Sequence, residues 1–257
     1  MNKKVTQSAK AKNKLLPSLA ISIGFIAWVW LCVFAAQFFS ASSFRWLIQT
    51  FHLETGTIIQ SLYSFIIYLL AILMILGIPT LLCKKFPKLS SHPLFEKNSR
   101  KKLGLKGLPT WTDILLSPIG FIAQLVLSSA LVSLFAHLFS WFNLNEAQEV
   151  GYSDLFTTGD KLIAFLIVAI IVPIAEEIIF RGYLYGKLRE RLNLPVAMLL
   201  TSLLFAFLHV QWNVGVNVFA VSLILCGLRE ITGTIYAGIL VHVIKNAIAF
   251  YLLFIAM

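Results

Sequence analysis

The sequence predicts an all-α polytopic membrane protein of about seven, at most eight, membrane-spanning helices. Three observations carry this expectation. Of the 257 residues 59% are hydrophobic and only 12% are charged, where a soluble domain of this size carries roughly 25% charged residues. Apolar runs recur at close to the ~20 residues a helix needs to cross a bilayer. The basic residues fall in the connections between those runs, as membrane topology requires. The net charge of +10 therefore reads as topogenic, and nucleic acid is not an expected partner.

Taken in order, the runs are Leu16–Phe39, Ile58–Cys83, Ile114–Trp141, Leu162–Tyr183, Pro195–Val210, Val214–Leu228 and Thr234–Ala256. The first follows a lysine-rich start but is longer than the 7–15 apolar residues of a secretory signal, so it is kept as a span. Residues 1–15 are expected to be an unstructured cytoplasmic basic tail, and residues 16–257 a single membrane domain. The fifth and sixth runs are short for a full crossing. The three cysteines Cys32, Cys83 and Cys226 show neither a disulfide framework nor a metal-ligand spacing.

All but three of the 21 basic residues fall on one side of this arrangement; the exceptions are Arg45, Lys161 and Lys245. That side is expected to be cytoplasmic, which puts the N-terminus inside. The connection from Asn143 to Asp160 agrees, carrying Glu146, Glu149, Asp154 and Asp160. The long connection from Lys84 to Asp113 reads as a solvated loop that fixes topology, although its lysines also suit anionic lipid headgroups. Short loops and the positive-inside balance favour a bacterial plasma membrane, with lipid as the surrounding partner.

The chemistry-bearing residues lie inside the apolar runs. Glu176 and Glu177 end the stretch LIAFLIVAIIVPIAEE, with Arg181 after them. A charged side chain at membrane depth costs about 2.5–3.5 kcal/mol on insertion scales, so such groups persist mainly where they have a role. On a helix Glu177 and Arg181 are i and i+4, hence neighbours on one face, whereas Glu176 points about 100° away. Arg181 can therefore neutralise Glu177 and leave Glu176 to face whatever packs alongside, as the better base toward water. His242 and Asn246 are again i and i+4, and His209 ends a run whose Phe205 lies one turn earlier. Counted along the runs, Glu176 lies shallower than His209 unless the fifth span is tilted. Lys245 falls close to the face of His242 and is left outside the catalytic set.

In this order Glu176-Glu177-Ile-Ile-Phe-Arg181, Phe205-Ala-Phe-Leu-His209 and His242-Val-Ile-Lys-Asn246 resemble the CPBP family of intramembrane endopeptidases, named for CAAX proteases and bacteriocin-processing or self-immunity proteins. The resemblance covers residues 162–251, the expected catalytic helical core; the first half matches only as generic spans. It implies hydrolysis of a peptide bond by a glutamate-activated water. Carried over by position, Glu176 is the general base and His209 helps hold the water. His242 and Asn246 donate to the oxyanion, Arg181 anchors Glu177, and Phe205 supports the set. The substrate so implied is a peptide or membrane-protein segment.

Two other readings of the same residues stay open. Glu176, His209 and His242 could hold zinc as a His₂Glu site with an open position, although no His-Glu-x-x-His helix is present; no cofactor is favoured. A non-catalytic immunity protein that shields its host by contact is the alternative within the same resemblance. A proton-relaying transporter is a different class, but the two halves show no repeat.

Overall fold

The computed structural model describes the backbone of residues 2–96, 98–143, 152, 155 and 157–256, with side chains from Ser18 onward. Lys97, Glu146, Glu149 and Asp154 lie outside the described residues, as do the side chains of the N-terminal lysines. Among the described residues there is no strand, and the chain is an all-α integral membrane protein. Helix α1 runs Asn2–Phe51. It is followed by α2 Thr57–Lys85, α3 Trp111–Leu138, α4 Thr158–Arg189, α5 Leu194–Phe207, α6 Trp212–Thr232 and α7 Tyr236–Phe254. Six of these are long and apolar enough to cross a membrane, α1 from Ser18 onward. α5 is not: 14 residues at about 1.5 Å each give about 21 Å, short of the ~30 Å hydrocarbon core. The backbone of residues 2–15, expected as an unstructured tail, is helical and continuous with α1.

The ends of these helices follow local chemistry. Thr110 and Asp113 form a capping box that starts α3, and Thr157 and Asp160 do the same for α4. Asn193 Oδ1 accepts from the Val196 amide at 3.1 Å to start α5, with Pro195 in the first turn where its missing N–H costs nothing. Gly233, at φ +67°, ends α6 in the left-handed conformation. Asp113 is fully buried, and its carboxylate also accepts from Thr234 Oγ1. That bond ties the start of α3 to the turn between α6 and α7.

α4 is the central helix. It contacts α1, α2, α5, α6 and α7, while α6 packs between α3 and α5. One core joins Phe25, Val29 and Cys32 of α1 to Ile179, Tyr183 and Leu184 of α4. Two stretches of α4, Leu166–Ile171 and Glu177–Leu184, are π-helical, as is Leu73–Gly77 of α2. Such wide turns mark functional positions in many helices.

The basic connection after α2 differs from a solvated loop. Its 3₁₀ turns Pro87–Ser91 and Pro93–Phe95 lead into a strap that lies across the helix ends. Leu103 is buried in the main core and Leu94 packs on it. The Gly104 carbonyl accepts from the Ile235 amide at 3.2 Å, and Arg229 Nη2 donates to the Lys102 carbonyl at 3.1 Å. Lys102 and Lys187 both pair with Glu96. The apolar residues spaced through this polar stretch hold it down, and the charge bias of the connection conceals them.

Candidate active site

The motif residues read from the sequence sit on α4, α5 and α7, with His209 in the turn two residues past the end of α5, and their geometry divides them into two groups. The first is a buried charge cluster. Glu177 and Arg181, both fully buried, pair through Oε1 and Nη1 at 2.9 Å. His242 Nδ1 also reaches Glu177 Oε1, at 3.1 Å. A carboxylate only accepts when ionised, so Nδ1 is the protonated nitrogen. Its Nε2 lies 3.6 Å from Glu176 Oε2, too long for a hydrogen bond. One imidazole therefore spans both carboxylates. Helical periodicity places the two acids about 100° apart; the π-helical stretch that begins at Glu177 is where they come to share a partner.

Phe205 organises the rest. Its ring lies under the Arg181 guanidinium at 4.4 Å and stands edge-on to His209 at 5.0 Å and to His242 at 6.1 Å. A cation over an aromatic face is stabilised by the ring quadrupole, more so when both are dry.

The second group opens on a cavity of about 200 Å³ bounded by α1, α2, α4 and α5. Glu176, Phe205 and His209 line it, together with Tyr68, Gln37 and Ser64. His209 Nδ1 meets the Phe205 carbonyl at 2.9 Å; the carbonyl only accepts, so Nδ1 donates and neutral Nε2 keeps its lone pair. Tyr68 Oη donates to Glu176 Oε1 at 2.6 Å. This residue belongs to the half of the chain that reads as generic spans, and sequence reasoning missed it. The signal was present as a small polar stripe, Ser61, Ser64 and Tyr68, at helical spacing on α2.

Glu176 and His209, which the apolar runs placed at different distances along their spans, meet at one cavity. α4 continues six residues past Tyr183 to Arg189, and α5 begins at Leu194. Glu176 and His209 flank this shared turn at similar sequence distance, and both line the one cavity.

His242 and Asn246 do not line the cavity. Asn246 Nδ2 instead donates to the Val168 carbonyl at 3.0 Å, in the first π-helical stretch of α4, and Lys245 Nζ reaches Asn246 Oδ1 at 3.4 Å. Among the described residues no three His, Cys, Asp or Glu side chains converge as metal ligands. Glu176, His209 and His242, the set that could hold zinc, form no such group, and Phe205 stands against both imidazoles.

The chain is an all-α integral membrane protein whose paired glutamates and two histidines gather about Phe205. Residues 158–248, which contain every motif residue, match the family model of type II CAAX prenyl endopeptidase, Rce1-like. That is a protease family, and the match bears out the resemblance read from the three motifs. A 65-residue stretch is 39% identical to UPF0177 protein YxdF of Lactococcus lactis subsp. lactis (strain IL1403). It covers 25% of this chain and 35% of that protein, so the chain spans about a third of the length of this relative. No solved structure matches the chain.

Proposed function

We propose that this chain is an endopeptidase of the bacterial plasma membrane, with its N-terminus in the cytoplasm, that hydrolyses a peptide bond through a water activated by Glu176. One observation carries the reading: Glu176 and His209 line one cavity, with each side chain held by a named bond. Water in that chamber donates to the Glu176 carboxylate and to the free Nε2 of His209. As its oxygen bonds to the substrate carbonyl carbon, its proton passes to Glu176, which then returns it to the departing amine. Removal from bulk water strengthens each of these interactions. Glu177 and Arg181 form the fixed charge pair behind the base, and His242 is bonded to Glu177 and stands beside Glu176. Asn246 locks α7 to α4.

Comparison of the membrane peptidomes of cells carrying wild type and Glu176→Gln tests this reading. Cleavage products present only with wild type, at equal protein levels, support it. Identical peptidomes overturn it. Metal analysis of the purified active protein decides between this scheme and a zinc enzyme.

A further inference from the structure

We propose that the basic face of this molecule, the strap with the helix ends around it, is a binding surface for anionic phospholipid headgroups. The inference is independent of peptide hydrolysis. It starts from charge that nothing in the protein neutralises. Residues 84–113 carry eight basic side chains and two acids. Both acids are committed, Glu96 to Lys102 and Lys187, and Asp113 to Thr110 and Thr234. The nearby Glu230 and Glu190 are taken by Arg189 and Arg191. Lys84, Lys85, Lys88, Arg100, Lys101 and Lys106 are exposed, and among the described residues none of them forms an ion pair.

The strap presents this charge as a fixed array. Leu94 and Leu103 turn into the main core. The Leu103 carbonyl backs onto Gly182 of α4, where a Cβ would lie 3.0 Å from it. Further on, Tyr236 Oη of α7 donates to the Gly107 carbonyl at 2.7 Å. With the backbone held against the helices, Arg100, Lys101 and Lys106 are left on the outer face. An array ordered in advance loses less freedom on binding.

Apolar residues interleaved with the charge identify the partner as a bilayer surface and not a soluble polyanion. Phe86, Leu108 and Trp111 are 50%, 84% and 77% exposed. Phe86 directly follows α2 and Trp111 begins α3, so both stand where spanning helices leave the membrane. Aromatic side chains at that level anchor among the headgroups. Lys85 Nζ lies 5.6 Å over the Phe86 ring, which places its ammonium beside such an anchor. Topology requires positive charge on this side, but not its placement beside exposed apolar side chains on a pinned backbone. Clusters of about four to eight basic residues next to a spanning helix attract anionic lipid, each worth about five-fold in affinity.

The test uses the full-length protein in a nonionic detergent, offered equal amounts of phosphatidylglycerol and phosphatidylcholine with the same acyl chains. Native mass spectrometry counts the lipids retained. The expected result is a preference for phosphatidylglycerol of at least about ten-fold. It should fall several-fold between about 50 mM and about 500 mM salt. Lys84→Gln with Lys85→Gln and Lys88→Gln should cut the preference at least about five-fold, and so should Lys101→Gln with Lys106→Gln. Arg45→Gln with Lys161→Gln, on the opposite side, should leave it unchanged. Equal retention of the two lipids overturns the proposal. A preference that survives in both lysine variants, or that salt does not weaken, overturns it as well; the salt series reads wild type alone and stands even where a variant fails to fold. Displacement of phosphatidylglycerol by inorganic phosphate at constant ionic strength also overturns it, since the site is then a phosphate pocket and not a lipid surface.

Discussion

Gly238 of α7 backs directly onto Glu177 of α4: a Cβ at position 238 would lie 2.9 Å from Glu177 Oε2. That oxygen belongs to a carboxylate already fixed through its other oxygen by Arg181 and His242, so it cannot simply swing aside. The absence of a side chain at 238 is what lets α7 approach closely enough for His242 to reach both acids. Gly238→Ala is therefore expected to cost about 1–3 kcal/mol as an overpacking substitution and to lower activity more than ten-fold. Thermal unfolding and peptide cleavage by the purified protein check the two effects.

Arg181 and Glu177 are expected to depend on each other. Removing one member of a buried ion pair strands the other charge, at about 3–5 kcal/mol, whereas removing both is far less costly. Arg181→Met alone should sharply reduce the amount of protein in the membrane. The double variant Arg181→Met with Glu177→Gln should restore much of it. Quantitative blotting of membrane fractions reads the difference, and equal loss in both variants would contradict the pairing.

The strap carries its own test at Gly104. Its φ of +75° suits glycine, and a Cβ there would lie 2.7 Å from Arg229 Cζ. Gly104→Ala should loosen the strap by about 1–3 kcal/mol of backbone strain. Faster trypsin cleavage at Arg100, Lys101 and Lys102 is the expected readout, with the transmembrane helices left intact.

Acid should release the same strap. The hydrogen bond from Lys102, with Lys187 adding to it, holds the Glu96 carboxyl below its ordinary range. A folded-state value below the unfolded one means the contribution is complete above the usual glutamate pKa of about 4.3 and is lost as pH falls through the lowered value. Amide protection at residues 99–105, taken relative to the intrinsic exchange rate at each pH, is therefore expected to hold from pH 8 to about pH 5 and to fall below about pH 4. Glu96→Gln should reproduce the fast exchange at neutral pH.

What the sequence showed and what it concealed have physical causes. Hydropathy located α1, α2, α3, α4 and α7 because lipid-facing helices must be apolar over their full length. The charged residues of α4 stood out because charge is rare at that depth. α5 read as a short run and is a short helix. The shared partner of Glu176 and Glu177 was not legible, since a 3.6-residue period does not describe a π-helical turn. Tyr68 was hidden for a different reason: an aromatic in an apolar run looks like packing, and only its neighbour across the chamber reveals the hydroxyl's bond. The strap was hidden by lysines that surround Leu94, Leu103 and Leu105.

The chamber's far wall, made by Val33 and Gln37 of α1 and by Ser64, Tyr68 and Ala71 of α2, has a consequence for how such chains can be recombined. A chimera that keeps residues 158–248 and borrows its front half from another membrane protein would retain every recognisable motif. It would nonetheless lack one wall of the cavity, open to acyl chains where the native protein has a tyrosine.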